Sequence, residues 1–102
     1  MTKDITDATF QSAIAEGVSL VDCWAEWCGP CRMLGPVIEE LSEEMDGVNF
    51  YKLDVDENQV IPGQLGIRSI PTMLITKDGE IVDTLVGFMP KQVIIQAIEK
   101  NM

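Results

Sequence analysis

Residues 18–25, Val-Ser-Leu-Val-Asp-Cys-Trp-Ala, form a β-branched and apolar run whose length suits a buried strand. A helical pattern follows it: Leu34, Val37, Ile38, Leu41 and Met45 recur on one face, while Glu39, Glu40, Glu43 and Glu44 occupy a solvated face. Residues 48–55, Val-Asn-Phe-Tyr-Lys-Leu-Asp-Val, read as a second buried strand. Two strands separated by a full helix suit a right-handed parallel crossover rather than a hairpin. This unit confines the chain to α/β folds in which helices cover a sheet. Gly47 marks the end of the helix, and Pro36 inside it removes a backbone donor. Because the periodicity continues past Pro36, a kink near Arg32 or Met33 is expected rather than a break.

The flanking segments complete the pattern. Thr6 or Asp7 can cap a short helix reaching Glu16, with Phe10, Ala13 and Ile14 on one face and Gly17 as its stop. Residues 57–67 are irregular, because Pro62, Gly63 and Gly66 interrupt a helical pattern at Val60, Ile61 and Leu65. Residues 72–77, the pair Asp78-Gly79 and residues 80–86 spell a β-hairpin, the turn pair supplying positive φ angles. Pro90 opens a last helix with Val93, Ile94, Ala97 and Ile98 inward. The order is βαβ, connector, ββα, which predicts one domain over residues 1–102 with a mixed sheet flanked by helices on both faces.

Seventeen acidic against seven basic side chains give a net charge of −10, which repels phosphate backbones and anionic headgroups. Nucleic acid and membrane are therefore not expected partners. Residues 1–7 hold no apolar signal region, and no run approaches the ~20 apolar residues that span a bilayer. A cytoplasmic protein is expected. Three cysteines, an odd count, argue against a structural disulfide framework in a reducing compartment, so any disulfide should be transient and catalytic.

Cys28 and Cys31 are separated only by Gly29 and Pro30 and lie where the first strand gives way to the helix. Unpaired N–H groups and the positive end of the helix dipole favour a thiolate at Cys28. Cys31 follows about one turn later, within the Cα separation of ~4.4–6.8 Å that a disulfide accepts. The chemistry this suits is thiol–disulfide exchange, with Cys28 attacking and Cys31 resolving the mixed disulfide. Gly29 leaves Cys28 open to approach, and Pro30 omits an N–H that the first helical turn does not need. Neither carries the cationic charge that would make the disulfide more oxidising, which favours a reductant. A structural zinc would need a second cysteine pair or histidines, and the chain has neither. Inert buried thiols are the remaining reading, disfavoured by Gly-Pro at a helix start.

Four stretches in order, Val21-Asp-Cys-Trp-Ala-Glu-Trp27, Trp27-Cys-Gly-Pro-Cys31, Gly66-Ile-Arg-Ser-Ile-Pro-Thr72 and Val86-Gly-Phe88, resemble the thioredoxin family over nearly the whole chain. The resemblance implies a thioredoxin fold and a protein-disulfide reductase that carries electrons through the Cys28–Cys31 pair without a bound cofactor. It further implies electrons from NADPH through a flavin-containing thioredoxin reductase, disulfide-containing protein substrates, and a monomer. Two features depart from the family. Cys23 stands where an aromatic side chain is common, and Pro62-Gly63 falls where a helix is usual, which puts the third helix in doubt.

The supporting residues each have two readings. Asp22 is either a wetted acid at a strand end or, as the resemblance implies, a buried carboxyl with a raised pKa that takes the proton of Cys31. Lys52 on the neighbouring strand is either a surface lysine or a residue that tunes Asp22. The Ile70-Pro71 bond is trans by the statistics of X–Pro bonds, and cis by resemblance, with Pro71 facing the cysteines and the Ile70 backbone free to pair with substrate. Trp27, Gly87 and Phe88 would complete that docking rim, although Trp27 could be a core aromatic. Trp24 is assigned to packing. Cys23, on the opposite pleat from Asp22, is read as core filler, with a regulatory thiol as the alternative. Two other functions stay open at this point: a binding module in which the cysteines are dispensable, and an oxidase or isomerase.

Overall fold

The computed structural model describes residues 1–102. Its elements are β1 (Lys3–Asp4), α1 (Phe10–Ala13), β2 (Val18–Trp24), α2 (Gly29–Glu44), β3 (Val48–Asp54), α3 (Val60–Leu65), β4 (Thr72–Lys77), β5 (Glu80–Val86) and α4 (Lys91–Glu99). The crossover forms as the apolar runs predict. β2 and β3 lie parallel with Val18 opposite Val48 and Trp24 opposite Asp54, and α2 connects them. β4 pairs antiparallel with β2 and β5 antiparallel with β4, giving the mixed order β1-β3-β2-β4-β5. The hairpin turns at Asp78 and Gly79, with φ values of 49° and 88°, the left-handed geometry of a two-residue turn.

Alternation along the strands divides the core into two layers. Leu20 and Phe50 pack with Leu34, Ile38 and Leu41 of α2 and Ile94 and Ile98 of α4 on one face of the sheet. Val21, Cys23, Leu53 and Leu74 pack on the other face with Phe10 and Ile14, and Ile61 of α3 joins that layer. Helices therefore cover both faces. Lys91 Nζ reaches Glu40 and Glu44 at 2.6 and 2.8 Å, bringing the start of α4 onto the acidic face of α2. No helix is long and apolar enough to cross a membrane.

Several local expectations are corrected. β1, a two-residue exposed strand parallel to β3, carries no apolar signal to announce it. α1 stops at Ala13 rather than Glu16. Asp7 does not cap it. The Asp7 carboxylate instead accepts the backbone N–H groups of Val60 and Ile61, at 3.1 and 2.9 Å, and so caps α3 from 53 residues away. α3 forms despite Pro62, because the third helical position needs no donor, and Gly66 ends it at φ 70°. α2 runs continuously through Pro36 and stops at Glu44, with Met45 already extended, before Gly47 is reached. Ile94, Ala97 and Ile98 face inward on α4, but Val93 is exposed.

Candidate active site

β2 ends at Trp24, and the chain makes one turn before α2 begins. Cys28 is the N-cap of α2: its backbone is extended, and its Sγ accepts the Cys31 backbone N–H at 3.2 Å, as a serine or aspartate oxygen does at other helix starts. Gly29 and Pro30 are the first two helical residues, and Pro30 lacks a donor where none would be paired. Cys28 and Cys31 form a disulfide with Cα atoms 5.2 Å apart. Both are nearly buried, packed with Ala25 and flanked by Trp24, Val55 and Ile70.

The segment before β4 closes over the sulfurs. Cys28 Sγ lies 3.8 Å from the Ile70 carbonyl oxygen, and the Ile70-Pro71 bond is cis. Thr72 Oγ1 donates to the Ser69 carbonyl, and the Gly87 N–H donates to the Pro71 carbonyl at 2.8 Å. The Pro71 and Gly87 loops are thereby joined, with Phe88 exposed beside them. Trp27 is 69% exposed, which removes its reading as a core aromatic. Its Nε1 donates to Asp56 at 2.8 Å. Asp56 was not legible as a site residue by type. Its position was the available signal, since it follows the carboxyl end of β3 as Cys28 follows that of β2, and groups converge at such ends.

Asp22 is fully buried, which removes the wetted reading. It sits on the pleat shared with Leu20, the α2 side of the sheet, and neither carboxylate oxygen has a hydrogen-bond partner. Burial pushes its pKa up from 3.8 to about 6, and the Lys52 charge opposes that rise. Lys52 stands opposite Asp22 in the β2–β3 register, with Nζ 4.1 Å from the centroid of the Trp24 ring. It is not a free surface lysine. Cys23 points to the other face, fully buried, where burial first and the Asp22 charge second push its thiol up to about 12. No group of three or more Cys, Asp or Glu side chains is arranged to hold a metal, and the chain has no histidine.

A disulfide at a helix start, an exposed tryptophan next to it in the chain, and a buried carboxyl of raised pKa together suit exchange between this disulfide and another. Relatedness agrees with the geometry. Residues 1–100 match the thioredoxin family model. A thioredoxin of Listeria monocytogenes is 52% identical over 101 residues, covering 98% of each chain. One of Bacillus subtilis is 51% identical over 98 residues, covering 95% of this chain and 94% of its own. One of Staphylococcus aureus is 46% identical over 99 residues, covering 96% and 95%. The chain belongs to the thioredoxin family of dithiol–disulfide oxidoreductases.

Proposed function

We propose that this chain is a general protein-disulfide reductase of the cytoplasm, acting as a monomer and a single domain. Cys28 is the nucleophile and Cys31 the resolving thiol. The Cys28 thiolate attacks one sulfur of a substrate disulfide, forming a mixed disulfide and releasing the other substrate sulfur as a thiolate. Asp22 accepts the proton of Cys31, whose thiolate then attacks Cys28 Sγ. The protein disulfide forms, the second substrate thiolate leaves, and two electrons have passed to substrate. Gly29 and Pro30 keep the couple reducing, and Lys52 sets the pKa of Asp22. Trp27, Ile70, Pro71, Gly87 and Phe88 form the docking rim. Electrons return from NADPH through a thioredoxin reductase, so the chain itself needs no bound cofactor.

The observation that carries this reading is the position of Cys28 as N-cap of α2, with its sulfur accepting the Cys31 N–H. That donor and the helix dipole stabilise a thiolate on Cys28 and offer Cys31 no comparable support. The test is covalent trapping. Cys31→Ser should accumulate mixed disulfides with protein targets and Cys28→Ser should not, read by non-reducing electrophoresis and mass spectrometry. Equal trapping by both variants would overturn the assignment of roles.

A further inference from the structure

α4 covers the β4–β5 end of one sheet face, but on the opposite face the helical cover stops at the end of α3. There a half-open groove of about 360 Å³ lies between the chain after α3 and the edge strand β5. Thr72 and Leu74 form its buried floor, and Leu65, Ile81 and Val86 present exposed apolar side chains along its walls. A volume of this size accommodates a few side chains. Arg68 stands at its lip, exposed. It makes no salt bridge, although the chain carries seventeen acids, and the ion pairs of this molecule are those of Lys91.

The groove is continuous with the proposed docking rim. Ser69 lines the groove and the next residue, Ile70, packs against the disulfide. Val86 lines it at the other side and is followed by Gly87, which is bonded to Pro71. A chain segment lying in the groove would therefore leave it beside Cys28. We infer that this groove receives an extended segment of a disulfide-bearing protein substrate, in which large apolar side chains alternate with carboxylates. The apolar groups bury against Leu65, Ile81 and Val86, and a carboxylate pairs with the Arg68 guanidinium, whose fork suits it. A second copy of this chain is a poorer occupant, because its own disulfide is buried at a helix start and is not carried on an extended segment that could lie in the groove and reach Cys28. The inference deepens the reductase reading and rests on its docking rim.

Two synthetic peptides test it, each with one cysteine blocked as a mixed disulfide with a chromophoric aromatic thiol. In one the cysteine is flanked on both sides by alternating leucine and aspartate or glutamate, and in the other by alternating serine and asparagine or glutamine. The reduced protein should react about tenfold faster with the first, the effect of burying roughly one leucine. That ratio should fall to within about twofold in Thr84→Trp, which fills the groove from the exposed strand. It should drop by about two- to threefold in Arg68→Ala, which removes one exposed charge pair and leaves the apolar burial intact. In a Cys28→Ser/Cys31→Ser variant, the first peptide with serine for cysteine should shift the amide resonances of Ser69, Thr84 and Val86. Those shifts without any exchange, even on a blocked free cysteine, would uphold the groove while removing the reductase reading. Exchange with no preference between peptides, or a preference that survives both substitutions, would overturn the groove and leave the reductase reading standing. Shifts that grow with protein concentration alone would place a second copy there and overturn the inference.

Discussion

Asp22 and Lys52 face each other across adjacent parallel strands without forming an ion pair, since the lysine ammonium rests over the Trp24 ring and both Asp22 oxygens are unpartnered. The lysine thus acts on the carboxyl through space, and cannot repay the solvation that burial removes. Asp22 consequently keeps its proton to about pH 6, near the range where a proton acceptor for a thiol is useful.

That arrangement weakens the fold at neutral pH. Below the ordinary value of 3.8 Asp22 is neutral in folded and unfolded chains alike. As pH rises from there to about 6 the unfolded chain releases its proton and the folded chain does not, so stability falls, and above that the penalty is constant. At 1.36 kcal/mol per unit the penalty is about 3 kcal/mol. Asp22→Asn should therefore stabilise the oxidised protein at pH 7 by about 1–3 kcal/mol, with the gain vanishing by pH 3.5, as measured by denaturant unfolding at both values. The same variant should slow turnover. An unchanged rate at neutral pH would remove Asp22 from the mechanism.

Lys52→Met tests the other half of the pair. Loss of the ammonium removes the one charge that holds the Asp22 pKa down, so the carboxyl should titrate at higher pH, followed by its carbon resonance. A titration that did not move would show that Lys52 exerts no field at Asp22.

Trp27 would be an unsupported exposed ring were its Nε1 not bonded to Asp56. Asp56→Ala removes a surface contact, so stability should change by about 1 kcal/mol or less. The freed indole should raise KM for a disulfide-bearing protein more than it lowers kcat, because orientation is lost and the sulfurs are untouched. A change confined to kcat would place Asp56 in the chemistry instead.

Asp7→Ala should cost about 0.5–2 kcal/mol, the range of a helix cap, although Asp7 lies far from α3 in sequence. Amide exchange should rise first at Val60 and Ile61. Uniform acceleration across the chain would indicate that the cap and the global fold are one cooperative unit.

What the sequence disclosed follows from the range of the forces involved. β2, α2, β3 and the hairpin were legible because periodicity and turn chemistry are local, and Cys28 because a helix start and a cysteine pair coincide there. The destination of the Asp7 carboxylate was not, since an acid that caps the nearest helix and one that caps a distant helix look alike until the chain folds. β1 escaped because two exposed residues on a sheet edge carry no apolar pattern, and Val93 because a short helix shows its inward face only once its neighbour is placed. Burial of Asp22 was left open by a sequence that gives one acid among apolar residues. The pleat that puts it beneath α2 decided it.

Cys23 separates a structural from a regulatory thiol. It is fully buried on the face of the sheet away from Asp22, and with a pKa of about 12 its thiolate at pH 8 is roughly one part in ten thousand. Alkylation of the reduced native protein at pH 8 should therefore label Cys28 rapidly and leave Cys23 unmodified until denaturant is added, as peptide mass mapping would show. Because any native labelling of Cys23 must pass through opening of the layer formed by Phe10, Ile14, Leu53 and Leu74, its rate should follow global stability. Reaction at Cys23 as fast as at Cys28 would mean that this layer opens readily, and would restore the regulatory reading.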